Sequence, residues 1–142
     1  MGVINRVERV ALAVTNLDEA QSFFQDIFGA RFYREEYIED MGIRYRPFDL
    51  GCSKMELLLA TREDSPVAKF IKAHGQGVHH ITFEVDDLDE AVAELAERGL
   101  KIAYRHTYAE GVTFEGYRWR EAFVHPKESF GVLIHLAEKT PV

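Results

Sequence analysis

The chain has one cysteine, Cys52, in 142 residues. A single thiol excludes an internal disulfide and any cysteine-rich metal site. Its expected place is a small buried one. No apolar run reaches membrane-spanning length. The start, Met1-Gly-Val-Ile-Asn-Arg6, has no signal-peptide layout, and Arg6 stands where myristoylation wants Ser or Thr. Positive charge is scarce as well: 17 Lys and Arg face 24 Asp and Glu, for a net charge of −7. That balance argues against general binding to nucleic acid, while a local basic pocket for an anionic ligand stays open. No low-complexity segment interrupts the chain. These absences point to a cytoplasmic protein with no membrane partner.

The sequence does contain a repeat. Val10-Ala-Leu-Ala-Val-Thr-Asn-Leu-Asp-Glu-Ala20 returns as Ile81-Thr-Phe-Glu-Val-Asp-Asp-Leu-Asp-Glu-Ala91. Each copy reads as a strand running into a capped helix, and a doubled unit of this kind can bring matched residues to one pseudo-symmetric cleft. Hydrophobic content of 46% suffices for one core. In the first copy, Arg9 to Val14 alternates as a half-buried strand. Asn16 and Glu19 cap a helix over about 17–28 that ends at Gly29. Three strands follow near 31–37, 43–50 and 54–60. Ser65-Pro66 starts a linker helix over 67–73.

The second copy opens with a strand over 79–85. A helix capped by Asp87 follows and ends at Gly99, with strands near 100–107, 117–124 and 131–136 after it. Residues 108–116 form an added loop with two aromatics. The predicted architecture is α+β: two tandem βαβββ modules forming a curved mixed sheet around a central cleft, with helices outside. It makes a single domain over 1–142. Module one spans about 5–60, the linker about 65–75 and module two about 77–138.

Strand alternation sorts the side chains. Val10, Leu12 and Val14, like Ile81, Phe83 and Val85, face the helices. Arg9 and His80 are symmetry mates on the opposite face, and His79 points away from them. In the last strands of the two copies, Glu56 and His135 occupy matching places on that same face. The cleft is therefore expected to hold Arg9, Glu56, His80 and His135. Any one histidine in a strand has an alternative reading as a hydrogen-bonded structural residue. Four polar residues at matched inward positions favour the functional one.

Several segments resemble the vicinal oxygen chelate superfamily, and most closely its methylmalonyl-CoA epimerase branch. They are Lys54-Met-Glu-Leu-Leu58, Ser65-Pro-Val-Ala-Lys-Phe70, Gly77-Val-His-His-Ile-Thr-Phe-Glu-Val-Asp-Asp87, Phe123-Val-His-Pro-Lys127 and Gly131-Val-Leu-Ile134. The resemblance implies one divalent metal (Zn, Co, Mn, Ni or Fe) held by four side chains, of the pattern His, Gln or Glu, His, Glu. The corresponding residues here are Arg9, Glu56, His80 and His135. Glu56 and His80 fit, and His135 replaces a carboxylate with another competent ligand. Arg9 replaces a histidine and cannot ligate, because its guanidinium stays protonated and offers no lone pair.

Two readings follow. In one, Glu56, His80 and His135 bind the metal and Arg9 holds an anionic group of the substrate. In the other, Arg9 pairs with Glu56, the metal is lost, and the histidines serve as an acid–base pair or as ligand contacts.

The chemistry implied is proton transfer beside a carbonyl of a small anionic substrate, an acyl-CoA or an aromatic compound. It is carried by a metal-assisted isomerase, epimerase or lyase, the metal polarising the carbonyl oxygen. Asp40, just before Gly42, matches the branch's carboxylate base; its alternative is a turn residue. Lys127 is placed to meet a phosphate or carboxylate, or else is solvated. Tyr117 and Trp119, in a segment longer than the branch's short turn, line a cleft or pack an edge hairpin. Glu56, His135 and Asp40 are thus the candidate catalytic residues. Arg9, Lys127, Tyr117 and Trp119 are the candidate substrate contacts. An iron-dependent dioxygenase-like enzyme and a metal-free ligand-binding protein of the resistance type remain as alternatives. A homodimer is expected by analogy, and His74 and His106 are expected on the surface or in loops.

Overall fold

The computed structural model describes residues 2–142. The element order is β1 (Ile4–Ala13), α1 (Leu17–Ser22), β2 (Arg31–Phe32), β3 (Glu36–Ile38), β4 (Ile43–Leu50), β5 (Ser53–Ala60), α2 (Pro66–His74), β6 (Gly77–Val85), α3 (Leu88–Glu97), β7 (Ile102–Thr107), β8 (Tyr117–Val124) and β9 (Ile134–Pro141). The fold is α+β. Two tandem βαβββ-like modules supply open, mixed sheet flanked by helices. By compactness the chain divides into Arg9–His79 and a second unit, the chain up to Glu8 together with His80–Val142.

In the unit Arg9–His79, β1 runs parallel to β5, and β4 runs antiparallel to β5, β2 and β3. Its core is Leu17, Ala30, Phe48 and Leu57, with Leu12, Val14 and Phe24 packed against them. The strand residues Leu12, Phe48 and Leu57 meet the helical Leu17 and Phe24 there. Asn16 accepts from the Glu19 backbone N–H at 2.9 Å and starts α1. The predicted helix over 17–28 is shorter as an α-helix, because Phe23–Ile27 widens into a π-turn. The wider turn gathers Phe23, Phe24 and Phe28 ring against ring and sets Phe24 5.1 Å from Phe48.

Cys52 corrects an expectation. It is exposed, because β4 and β5 pair down to Leu50 and Ser53 and leave only Gly51 and Cys52 to make the turn. Such a tight turn has no interior, and Gly51 takes φ 61° within it. The strand predicted near 31–37 is also broken in two, β2 and β3, each pairing with a different stretch of β4.

In the second unit, β6 runs parallel to β9, which pairs antiparallel with β8, and β8 with β7. Val85, Leu88, Ala91, Ala122, Val124 and Leu136 form its core under α3. Asp87 caps α3 by accepting from the Glu90 N–H at 3.0 Å. The last strand differs from its predicted span of about 131–136. It starts at Ile134 and runs to Pro141. Residues 126–131 fold into a tight turn first, with Gly131 N–H bonded to Pro126 O and Phe130 at φ 61°. His106, expected on the surface or in a loop, is half-buried in β7 opposite Glu121, whereas His74 is exposed at the end of α2.

Candidate functional site

The two units carry matched registers. Ala11 lies opposite Glu56 in the β1–β5 pair, and Thr82 lies opposite His135 in the β6–β9 pair. Because the repeat equates Ala11 with Thr82, their strand partners Glu56 and His135 are structural equivalents. Each of the four candidate cleft residues is buried on the sheet face away from the helices: Arg9 is 4% exposed, Glu56 8%, His80 8% and His135 9%.

Within Arg9–His79, the Arg9 guanidinium donates through Nη1 to Glu56 Oε1 at 2.8 Å, with both side chains nearly fully enclosed. The charge-assisted hydrogen bond holds the buried carboxylate in place. His79 is also buried, but its ring lies against Phe70 at 5.0 Å, a packing role in keeping with its alternate facing. Asp40 is exposed in a 3-10 turn, Glu39–Met41, where its carbonyl accepts from Arg62 Nη2 at 3.1 Å.

In the second unit, His135 sits between two partners. Its Nδ1 is 2.8 Å from Thr82 Oγ1, and its Nε2 is 2.8 Å from Glu121 Oε1. The Tyr108 hydroxyl donates to Glu121 Oε2 at 3.0 Å. Phe123 stacks on the imidazole at 4.8 Å, and the His80 ring stands edge-on to it at 5.1 Å. Burial pulls the Glu121 carboxyl upward. The charge and hydrogen bond of His135, then the Tyr108 hydroxyl, outweigh it, and the group ends below the usual glutamate range.

A carboxyl lowered in the folded state stabilises the fold above its unfolded value, and that contribution is lost as the pH falls through the lowered one. Glu121→Gln is therefore expected to lose less stability than the natural chain between neutral and strongly acid pH. Urea unfolding at pH 7 and pH 3 checks it.

Glu121 and Tyr108 were not singled out from the sequence. Alternation along β8 would have found Glu121, because Tyr117, Trp119, Glu121 and Phe123 share one face and Phe123 lies opposite His135. Tyr117 and Trp119 are half-buried on that face, with the Lys139 ammonium 4.8 and 5.8 Å from their ring centres. Trp119 Nε1–H donates to Phe114 O at 3.0 Å, which ties the added loop to β8. Lys127 is exposed in the turn Pro126–Glu128.

The divalent metal implied by the resemblance does not fit these donors as they stand. Among the described residues, no group of three or more His, Cys, Asp or Glu is placed to hold one. Glu56 is engaged by a guanidinium, and both ring nitrogens of His135 are taken up by a hydroxyl and a carboxylate.

A paired-module α+β fold with buried polar side chains on its helix-free faces is the scaffold of one known superfamily. The family model for the Glyoxalase/Bleomycin resistance protein/Dioxygenase superfamily matches residues 8–123. The chain belongs to that superfamily, the vicinal oxygen chelate proteins. Human mitochondrial methylmalonyl-CoA epimerase is 33% identical over 136 residues, covering 95% of this chain and 74% of the relative. The crystal structure of the Mycobacterium tuberculosis methylmalonyl-CoA epimerase superposes with a TM-score of 0.86 at 28% identity, over 99% of this chain and 92% of that one. A methylmalonyl-CoA epimerase in complex with methylmalonyl-CoA and NH4+ matches with a TM-score of 0.80 at 31% identity, over 95% and 94% of the two chains. Within the superfamily, this chain falls in the methylmalonyl-CoA epimerase-like branch. Among its described residues, no helix is long and apolar enough to cross a membrane.

Proposed function

We propose that the protein is an epimerase or isomerase that moves a proton next to the carbonyl of an acyl-CoA ester. The observation that carries this reading is His135, buried with its ring between the Thr82 hydroxyl and the Glu121 carboxylate. An imidazole in that setting takes up and returns a proton without leaving a bare buried charge. The relatives that cover nearly the whole chain support the acyl-CoA class.

Glu56 is the second proton-transfer candidate, and Asp40 the third. Arg9 and Lys127 supply positive charge for the carboxylate, phosphate or developing enolate oxygen of such a substrate. Tyr117 and Trp119 offer flat faces to its ring-bearing part. No step is routed through a metal. Arg9 stands where the branch has a histidine ligand, and its fixed charge opposes a divalent ion beside Glu56.

The test is exchange of the α-proton of methylmalonyl-CoA, ethylmalonyl-CoA and related thioesters in deuterium oxide, followed by NMR. Exchange is expected at the same rate before and after chelator treatment, with metal well below one equivalent by elemental analysis. Near-stoichiometric metal that disappears in both His80→Ala and His135→Ala would instead establish Glu56, His80 and His135 as ligands. Tight thioester or aromatic binding without exchange would favour the ligand-binding reading.

A further inference from the structure

We propose that the sheet face of Arg9–His79 away from the helices carries a phosphate subsite, in which Arg31 and Lys54 hold the nucleotide phosphates of the acyl-CoA ester and the Tyr33 ring positions both cations. The inference rests on the acyl-CoA reading and deepens it, since none of these three is among the site residues named above.

The strand register brings these residues together. Phe32 lies opposite Phe48 and packs against the core, so its neighbours Arg31 and Tyr33 turn to the other face. Arg31 pairs with Asp49, and Asp49 with Lys54, in one row across β2, β4 and β5. On β1, Val10 pairs with Met55, so Arg9 extends that row beside Lys54. The next row runs from Tyr33, whose N–H bonds Pro47 O, through Pro47 to Glu56. One face thus carries three cations, with the Arg9–Glu56 pair at its buried end. The strand order β2-β4-β5-β1 sets Arg31 three strand spacings from Arg9, about 14 Å.

The outer end of the row suits an anion. The Arg31 guanidinium carbon is 5.4 Å and the Lys54 ammonium 5.2 Å from the centre of the Tyr33 ring, so one aromatic ring gathers two like charges. The Tyr33 hydroxyl donates to Asp49, and the carboxylate that lies between the cations is thereby engaged. Among the described residues, no carboxylate forms an ion pair with Arg31. Tyr33 is 40% exposed and Arg31 is exposed, so a ligand reaches them from solvent. Arg31 and Lys54 against Asp49 leave a net positive charge here, in a chain whose net charge of −7 otherwise repels a polyanion. A guanidinium fork and an ammonium both suit phosphate oxygens. A thioester with its acyl end at Arg9 and Glu56 would run its pantetheine arm along this row and set its phosphates at Arg31 and Lys54.

The test pairs calorimetric binding of CoA with proton exchange of methylmalonyl-CoA and of methylmalonyl-pantetheine, which lacks the nucleotide. The double variant Arg31→Gln with Lys54→Gln is compared with the natural chain and with Lys72→Gln, which removes an exposed charge from α2. The double variant is expected to weaken CoA binding about tenfold and to flatten its salt dependence. KM for methylmalonyl-CoA should rise by a similar factor with kcat within about twofold, whereas the pantetheine thioester and Lys72→Gln show no change. Tyr33→Leu, which removes the ring that gathers the cations, should also raise KM for methylmalonyl-CoA and spare kcat. Unchanged CoA binding in the double variant, or an equal loss with the pantetheine thioester, overturns the subsite while exchange by the natural chain keeps the acyl-CoA reading. If CoA binding weakens as expected but neither thioester exchanges with the natural chain, the subsite stands and the proton-transfer reading falls.

Discussion

Arg9→Ala is expected to be the most destabilising single change on the sheet faces away from the helices, at about 3–5 kcal/mol. The reason is what it leaves behind. Glu56 is 8% exposed, and its Oε1 takes a charge-assisted hydrogen bond of 2.8 Å from the guanidinium. With the cation deleted, the carboxylate must either stay charged in a nearly dry place or bind a proton at neutral pH, and both are costly.

Arg9→Ala with Glu56→Ala should recover much of the loss, because the second deletion removes the stranded charge. Denaturant unfolding of the two single variants and the double variant checks it. If Arg9→Ala costs under 1 kcal/mol, the pair behaves like an exposed ion pair, and the buried cation assigned here to substrate binding loses its structural partner.

His135→Gln should have the largest effect on activity. Gln is near His in size and can still bond Thr82 or Glu121, so the fold is expected to persist, while the imidazole is gone. General acid–base groups contribute typically about 10²- to 10⁴-fold, and a loss in that range in thioester proton exchange is expected. A small loss would move the proton transfer to Glu56 or Asp40. Asp40→Asn then becomes informative, because Asp40 is exposed and its backbone carbonyl, unchanged by that substitution, is what holds Arg62.

Much of this arrangement could be read before any coordinates. The repeat and the period-2 alternation placed Leu12, Val14 and Val85 against helices and put Arg9, Glu56, His80 and His135 on the opposite faces, where they are buried. Those signals are local and survive tertiary packing. The readings that missed depended on what the chain does between elements. Nothing in the spacing of Phe23, Phe24 and Phe28 told a π-turn from a further α-turn, because the difference is one inserted residue settled by ring contacts. Cys52 looked small and apolar, but the tight turn that holds it is exposed. Glu121 was not legible as a site residue, because on β8 a carboxylate beside Trp119 and Phe123 reads as a solvent residue until His135 is seen opposite Phe123. Whether Arg9 pairs with Glu56 was not legible either. Arg9 with Glu56 was one of the two arrangements the sequence allowed, and only distances could choose it.

The Lys139–Glu8 ion pair, 2.9 Å across with the Glu8 side chain 1% exposed, carries a consequence for how the protein is made. Its partners are 131 positions apart, so forming it closes almost the whole chain into one loop. By the logarithmic cost of loop closure that is about 2 kcal/mol more than closing a ten-residue loop. The stretch Arg9–His79 is continuous and complete once His79 has left the ribosome, whereas the other unit needs the chain up to Glu8 as well as His80–Val142. Its first strand segment is translated before the stretch Arg9–His79, and the rest of the unit after it. Glu8 cannot meet Lys139 until the 131 positions between them have been translated.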